Sequence, residues 1–118
     1  MGDAQDGIPP VEVEKKEQQV IVHVGGEMDI DRVPFLQEAL RTLITQPDCP
    51  TEVVIDLTDL TFCDSSGLNA LLQARLTAEE HGRRIRLHAP NRQVTKLLEL
   101  TGTHQLFPIT RPGHSQPE

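Results

Sequence analysis

Two adjacent serine hydroxyls, with a carboxylate and a thiol just before them, form the most reactive segment of the sequence. The segment covers residues 61–68 and reads TFCDSSGL, so that Cys63, Asp64, Ser65 and Ser66 are consecutive. Serine serves as a nucleophile in catalysis and as the acceptor in protein phosphorylation. Three roles are therefore open to these hydroxyl groups.

The first role is structural, and it places the segment at the start of a helix. Asp64 or Ser65 can act as the N-cap, because Asp and Ser side chains readily accept a hydrogen bond from a backbone N–H of the first turn. Capping does not exclude a second role for the neighbouring hydroxyl.

The second role makes Ser65 the nucleophile of a small serine hydrolase. A strand–turn–helix position suits such a nucleophile, but the G-x-S-x-G motif is broken because Cys63 stands at its first glycine position. No histidine stands out as a base, and no glycine-rich segment offers an oxyanion hole. The sequence therefore argues against an enzyme.

The third role makes Ser65 the acceptor of a phosphate from a protein kinase. The unpaired N–H groups at a helix N-terminus favour negative charge, so a phosphate on a hydroxyl there is tolerated. Gly67 keeps the backbone open to close approach. Phosphorylation would then change how a partner protein docks, which is a local electrostatic switch.

The metal-binding residue types do not form a recognisable site. Two isolated cysteines, Cys49 and Cys63, cannot hold zinc alone, and the five histidines show no ligand-like spacing. There is also no glycine-rich phosphate-binding loop. We therefore expect neither a metal nor a cofactor bound by this chain itself.

The first half of the sequence predicts two strands and a helix. Residues 11–14 alternate apolar and polar side chains, and residues 20–24 place three valines on one face, as strands do. Asp29 or Asp31 can cap the helix that follows. The apolar residues of this helix recur at spacings of three and four: Val33, Leu36, Leu40, Leu43 and Ile44.

The second half predicts two more strands and two more helices. Residues 53–57 begin with three β-branched residues, typical of a buried strand, and residues 85–88 form another strand. A loop at 58–64 leads into the second helix. We expect the buried face of that helix to consist of four leucines: Leu68, Leu71, Leu72 and Leu76. Asn91 caps a last helix, which Gly102 closes.

The order of these elements is β-β-α-β-α-β-α, which predicts an α/β fold. Strands joined through helices are most simply parallel with right-handed crossovers, and the first hairpin adds an antiparallel strand. We expect a mixed four- to five-stranded sheet with three or more helices packed on it. Segment 61–68 then lies at the carboxyl end of a strand, where open α/β sheets meet ligands and partners.

The length of the chain predicts one domain. Its 118 residues fit a single core. We expect the domain to span 11–110, with a disordered lead at 1–10 and a disordered tail at 111–118. With no export signal in view, we expect a cytoplasmic protein with reduced cysteines.

Charge and composition restrict the class of partner. The net charge is −7, and the chain has no Trp or Tyr. Nucleic-acid binders normally carry a basic patch and stacking aromatic residues, so we expect no nucleic-acid partner. An anionic membrane surface would repel the chain, and its longest apolar runs are far shorter than the ~20 residues that a membrane-spanning helix needs. The expected partner is another protein.

Three motifs resemble one known family. The run DSSGL at 64–68, the run GEMD at 26–29 and the closing runs LELTG at 98–102 and LFPI at 106–109 resemble the STAS-domain family of bacterial anti-sigma factor antagonists. In that family the second motif reads Gly-Glu-Leu-Asp. The resemblance covers about residues 11–110, with the motifs in the family's order.

The resemblance implies partner switching. An anti-sigma factor with GHKL-type serine kinase activity binds either a sigma factor or the unphosphorylated antagonist, and it releases the antagonist after phosphorylating it. A PP2C-like phosphatase resets the cycle. The resemblance makes Ser65 the acceptor, with Ser66 as the fallback, and ATP and magnesium come with the partner kinase.

The resemblance also implies which residues meet the partner. Four lie at the start of the second helix, and the other is the last residue of the GEMD motif; in chain order they are Asp29, Asp64, Ser66, Gly67 and Asn69. Asn69 departs from the family pattern, in which glycine is common. The alternatives are a STAS interaction module of a transport or other signalling complex and, more distantly, the small serine hydrolase.

Overall fold

The computed structural model describes residues 11–112 of the chain. The predicted disordered lead at 1–10 lies outside the described residues, as does the predicted tail apart from residues 111 and 112. The strands are β1 (Val11–Lys15), β2 (Gln19–Val24), β3 (Gly26–Met28), β4 (Glu52–Asp56), β5 (Leu60–Cys63), β6 (Arg84–His88) and β7 (Ile109–Thr110). The helices are α1 (Val33–Ile44), α2 (Ser65–Glu80) and α3 (Arg92–Thr101), and a 3₁₀ turn spans Thr103–Gln105.

The main sheet has five strands in the order β1-β2-β4-β6-β7. Strand β1 pairs antiparallel with β2, and every other neighbouring pair is parallel. The predicted mixed α/β sheet with three helices is confirmed. A second, two-stranded parallel sheet joins β3 to β5, and it was not predicted.

The core lies on one face of the main sheet. Alternate residues of β2, Val20, Val22 and Val24, are almost fully buried in a single cluster that also takes in apolar residues of all three helices. The side chains between them, such as Ile21 and His23, lie on the opposite face and keep partial exposure. The described helices therefore cover one face of the sheet.

Helix α2 buries only two of the four leucines that the sequence suggested, and small residues make up the rest of its buried face. Leu68 and Leu71 are buried as expected, but Leu72 is only partly buried and Leu76 is 49% exposed. The buried face is completed by alanines at positions 70, 74 and 78. Small side chains allow the close approach of α1, which packs directly on α2.

Candidate functional site

The candidate site is built where two short parallel strands end side by side. Met28 of β3 and Cys63 of β5 are register partners. The N–H of Asp64 donates to the carbonyl oxygen of Met28 at 3.4 Å. Asp29 and Asp64, the residues that follow the two strand ends, therefore share one edge of this small sheet.

Asp64 is the N-cap of α2, as the sequence suggested for this position. Its Oδ1 accepts hydrogen bonds from the Ser66 N–H at 3.0 Å, the Gly67 N–H at 3.1 Å and the Ser66 hydroxyl at 2.6 Å. The hydroxyl of Ser66 and the N–H of Gly67 hold the pKa of the Asp64 carboxyl below its ordinary value. The carboxylate is therefore ionised at neutral pH.

The two serine hydroxyls stand in different situations. Ser65 is the first residue of α2 and is exposed, and within residues 11–112 its hydroxyl has no hydrogen-bond partner. Ser66 is partly buried, and its hydroxyl is committed to Asp64. Among the described residues, the Ser65 oxygen is thus the one of the two that is not engaged in a hydrogen bond.

Gly67 is buried, and its lack of a side chain serves packing. A methyl group at this position would lie 2.7 Å from Sγ of Cys63 and 3.0 Å from the carbonyl oxygen of Met28. Both distances are shorter than ordinary contacts, so any larger residue would push α2 away from β3 and β5. The structure thus places Gly67 inside the junction rather than on the surface beside Ser65.

Asn69 is exposed one helical turn beyond Ser65. Residues four apart lie on the same helix face, so the Asn69 side chain and the Ser65 hydroxyl look out from one side of α2. Asn69 is therefore placed where a molecule docked over Ser65 would also reach it.

Asp29 organises the turn that precedes α1. Its Oδ1 accepts from the backbone N–H groups of Asp31 at 3.2 Å and Arg32 at 3.3 Å. The prediction that Asp31 could cap α1 is wrong, because Arg32 lies between Asp31 and the helix and occupies the N-cap without a side-chain bond. Asp29 keeps partial exposure next to the strand ends that carry Asp64.

Two residues at the start of α3 hold the outer edge of β5. Asn91 caps α3 as predicted, accepting from the Val94 N–H at 2.9 Å, and its amide also donates to the carbonyl oxygens of Leu60 and Thr61. Gln93 binds both backbone groups of Cys63. The sequence analysis missed the role of Gln93, since an isolated polar residue on a helix carries no signal for such a contact.

The other reactive side chains near the site are inert or occupied. Burial, with the Asp64 charge adding, raises the pKa of the Cys63 thiol to about 11, so it is protonated at neutral pH. Each histidine within 11–112 is bonded away from Ser65, to Glu14 and Asp56, Thr77, Thr110 or Leu98. None of these histidines is therefore a hydrogen-bond partner of Ser65.

Two properties of residues 11–112 concern metal binding and membranes. No three His, Cys, Asp or Glu side chains converge in a way that could hold a metal ion. None of the helices in this range combines the length and apolarity needed to cross a bilayer.

Comparisons with solved structures reproduce the fold. An anti-sigma factor antagonist from Mycobacterium paratuberculosis has a TM-score of 0.73 and 28% identity, covering 88% of this chain and 86% of its own. The anti-sigma factor antagonist SpoIIAA in its unphosphorylated form has a TM-score of 0.74 at 23% identity, covering 88% of this chain and 89% of that one. At that identity, the likeness to SpoIIAA concerns the fold alone.

Sequence comparisons point the same way. The anti-sigma-B factor antagonist of Bacillus subtilis is 26% identical over 100 residues, which cover 85% of this chain and 89% of that protein. A family model described as "Mlab, STAS domain" matches residues 11–109. Since that match takes in nearly all of the described residues, with the strand ends and the α2 N-terminus inside it, the chain belongs to the STAS domain family.

Proposed function

We propose that this protein is an anti-sigma factor antagonist controlled by phosphorylation of Ser65. The observation that carries the proposal is the hydroxyl of Ser65, which is exposed and unbonded among the described residues at the first position of α2. The relatives support it, because curated proteins similar over most of the chain are anti-sigma-B factor antagonists. The similar fold of SpoIIAA, whose phosphorylated form has also been solved, is consistent with such a switch.

The unphosphorylated protein binds an anti-sigma factor through the surface around Ser65, and phosphate ends that binding. Phosphorylation adds about −1.5 to −2 charges at neutral pH. The new charge sits beside the ionised Asp64, and Asp29 follows the neighbouring strand end. Where the partner surface is apolar or acidic, such a charge costs several kcal/mol. Because each ~1.4 kcal/mol changes affinity tenfold, a loss of about a hundredfold is within reach.

Ser65 is the acceptor in this proposal, and Ser66 is not. The Ser66 hydroxyl lies 2.6 Å from Oδ1 of Asp64, so a phosphate there would face a carboxylate at contact distance and break the cap of α2. A phosphate on Ser65 breaks no hydrogen bond recorded among the described residues. It also sits at a helix N-terminus, where negative charge is favoured.

The partner completes the chemistry. We infer an anti-sigma factor with GHKL-type serine kinase activity, which brings its own ATP and magnesium, and a PP2C-like phosphatase that resets Ser65. Both act in the cytoplasm, and the antagonist itself is a regulator rather than an enzyme. The hydrolase hypothesis lacks support, because each histidine within residues 11–112 is bonded elsewhere than to Ser65.

The alternative is an interaction module within a transport or other signalling complex. The matched family model carries Mlab in its description, and a fold does not by itself fix a function. What favours the switch is the agreement of two observations: Ser65 is exposed and unbonded among the described residues, and the curated relatives that match most of the chain are anti-sigma-B factor antagonists.

The test combines phosphorylation with binding. The protein is mixed with candidate anti-sigma kinases of its source organism and ATP, and phosphate is mapped by mass spectrometry. We expect phosphate on Ser65 in the wild type and in the control Ser66→Ala, and none on Ser65→Ala. In a binding assay, Ser65→Asp should bind the kinase more weakly than Ser65→Ala.

Two results would contradict the proposal. Phosphate found on Ser66 would move the switch to the neighbouring hydroxyl. Equal affinity of the Ser65→Asp and Ser65→Ala variants for the anti-sigma factor would remove the electrostatic switch, even with the fold intact.

A further inference from the structure

The outer edge of β5 is completed by a side chain instead of a strand. Strand β5 pairs with β3 on one side, and no strand among residues 11–112 pairs with its other side. There, Nε2 of Gln93 donates to the carbonyl oxygen of Cys63 at 2.8 Å, and Oε1 of Gln93 accepts from the Cys63 N–H at 3.0 Å. One carboxamide thus satisfies both backbone groups of one residue, as a neighbouring strand would.

This contact is not a by-product of burial. Gln93 is exposed, and an exposed glutamine is ordinarily free to turn its amide toward water. Holding one rotamer has an entropic cost, which the two hydrogen bonds must offset. The conformation of the Gln93 side chain is therefore set by its two hydrogen bonds to the Cys63 backbone and not by packing around it.

At neutral pH, a carboxamide is the side-chain group that fits this place. Cys63 offers one donor and one acceptor, and a carboxamide carries the complementary acceptor and donor. An aliphatic residue offers neither, and a carboxylate accepts from the N–H but repels the carbonyl oxygen. Cys63 is also the last residue before the Asp64 cap, so whatever fixes its backbone fixes where α2 begins.

We propose that Gln93 is a positioning residue for the phosphorylation of Ser65. It holds the backbone of Cys63 and so sets the place of the Asp64 cap and the direction of the Ser65 hydroxyl. Asn91 supports it from the same helix start by binding the carbonyl oxygens of Leu60 and Thr61 at 3.0 Å and 3.3 Å. The phosphorylation part of this inference rests on the proposed function, while the backbone part stands by itself.

The variant Gln93→Glu gives the contact a pH signature. The ionised glutamate keeps one hydrogen bond and repels the carbonyl oxygen of Cys63, whereas the protonated acid both donates and accepts as glutamine does. The charged groups on the packed elements are Asp64 after β5, Glu27 opposite Phe62 on β3, and Arg92 and Lys96 on α3. These charged groups are the same in wild type and in Gln93→Glu, so a difference in titration between the two proteins comes from position 93.

The test follows backbone amides by NMR in the full chain from about pH 4 to pH 8. In Gln93→Glu, the Cys63 and Ser65 amide signals should titrate together and approach their wild-type positions at low pH. In Gln93→Met, Cys63 amide exchange should rise about five- to tenfold at every pH, as expected for losing a hydrogen bond. The control Gln73→Glu, an exposed glutamine on α2, should leave both signals unchanged.

Phosphorylation kinetics form the second arm. With a kinase that phosphorylates wild type, Gln93→Met should lower kcat for Ser65 about tenfold and leave KM nearly unchanged, because the docking surface remains. A kinase that fails on wild type would count against the proposed function, while the NMR arm would still decide the backbone contact. Wild-type Cys63 exchange in Gln93→Met, or no titration of the Cys63 amide in Gln93→Glu, would overturn the positioning role.

Discussion

At position 67, the absent side chain lets α2 start against two strands at once. In a helix, alanine is ordinarily more favourable than glycine by up to about 1 kcal/mol. Here the added methyl group would sit 2.7 Å from Sγ of Cys63 and 3.0 Å from the carbonyl oxygen of Met28. Since the second neighbour is backbone, relief requires the helix or the strand to move.

Gly67→Ala should therefore destabilise the protein, by about 1–3 kcal/mol in the free energy of unfolding. The matched control is Gly25→Ala, whose methyl group would be 3.5 Å from Cβ of Asp59, an ordinary contact. Urea denaturation of both variants measures the difference. Equal stability of the two variants would show that the junction yields more easily than its geometry suggests.

The single residues divide clearly into those that sequence could assign and those it could not. Asp64 and Asn91 are caps, and caps have a local signature that a short segment carries by itself. Gln93 and Gly67 act across elements, toward Cys63 and Met28, so their roles depend on packing that no local pattern encodes. The place of Ser65 at the start of α2 follows from the local cap signature, whereas the contact between Gln93 and Cys63 does not.

At the scale of elements, one histidine ties three strands together on the open face of the main sheet. His23 of β2 lies 2.8 Å from Asp56 of β4 through Nδ1 and 3.0 Å from Glu14 of β1 through Nε2. Both nitrogens can donate only when the ring is protonated. The hydrogen bond to Glu14, with Asp56 adding and partial burial opposing, raises the pKa of His23 above its ordinary value.

Stability should therefore fall as pH rises through the raised pKa of His23. A group whose pKa is higher in the folded state stabilises that state below its unfolded pKa, and this contribution disappears above the folded pKa. The pKa values of Glu14 and Asp56 are lowered, so both stay ionised over this range.

The measurement compares urea unfolding of wild type and His23→Gln at several pH values. The stability advantage of wild type should be largest below about pH 6.5, the ordinary pKa of histidine, and should shrink as pH rises through the raised pKa of His23. The other charged or titratable groups on this face are common to both proteins: Glu12, Lys16, Glu52, Arg84, Arg86 and His88. If the stability difference between wild type and His23→Gln stays constant or grows with pH, protonated His23 does not stabilise the fold through Glu14 and Asp56.

Helix α2 provides a test of which of its faces is buried. Leu71 is 2% exposed in the core, whereas Leu76 is 49% exposed on the outward side. Leu71→Ala should cost about 2–5 kcal/mol in the free energy of unfolding. Leu76→Ala should change it by less than about 0.5 kcal/mol. Thermal and urea unfolding of the two variants measure both, and similar losses would restore the leucine face that the sequence first suggested.

Long, regular elements were predictable, and short ones were not. The three helices and strands β2, β4 and β6 show period-3.6 or strand-like patterns over five or more residues. Strands β3, β5 and β7 contain 3, 4 and 2 residues, too few for a period to show. The prediction that Leu72 and Leu76 are buried was wrong because burial along α2 depends on how closely α1 approaches. Hydrophobicity alone does not reveal that distance.

In the whole molecule, a single core anchors both sides of the candidate site. Met28 at the end of β3 and Leu68 in the first turn of α2 are buried in the same cluster as the main sheet. Ser65 stands outside that cluster. The hydroxyl of Ser65 is therefore exposed beside a well-packed junction, and a phosphate on it would not disturb the buried cluster.

A negative charge at position 65 should consequently leave the fold intact. The charge would sit at the N-terminus of a helix of 16 residues, where it is stabilising by about 0.3–1 kcal/mol. We expect Ser65→Asp to unfold in urea at or slightly above the wild-type midpoint. Its backbone amide shifts should change only around residues 28–31 and 62–69.

The control is Ser66→Ala, which loses the 2.6 Å hydrogen bond to Asp64 and should unfold earlier, by about 0.5–1.5 kcal/mol. Shift changes that spread from Ser65→Asp into β1, β2 or α1 would mean that the charge alters the folded structure. A partner would then be released by rearrangement rather than by repulsion. Confinement of the changes to the α2 start would leave local charge as the cause, since no other property of the displayed surface would have changed.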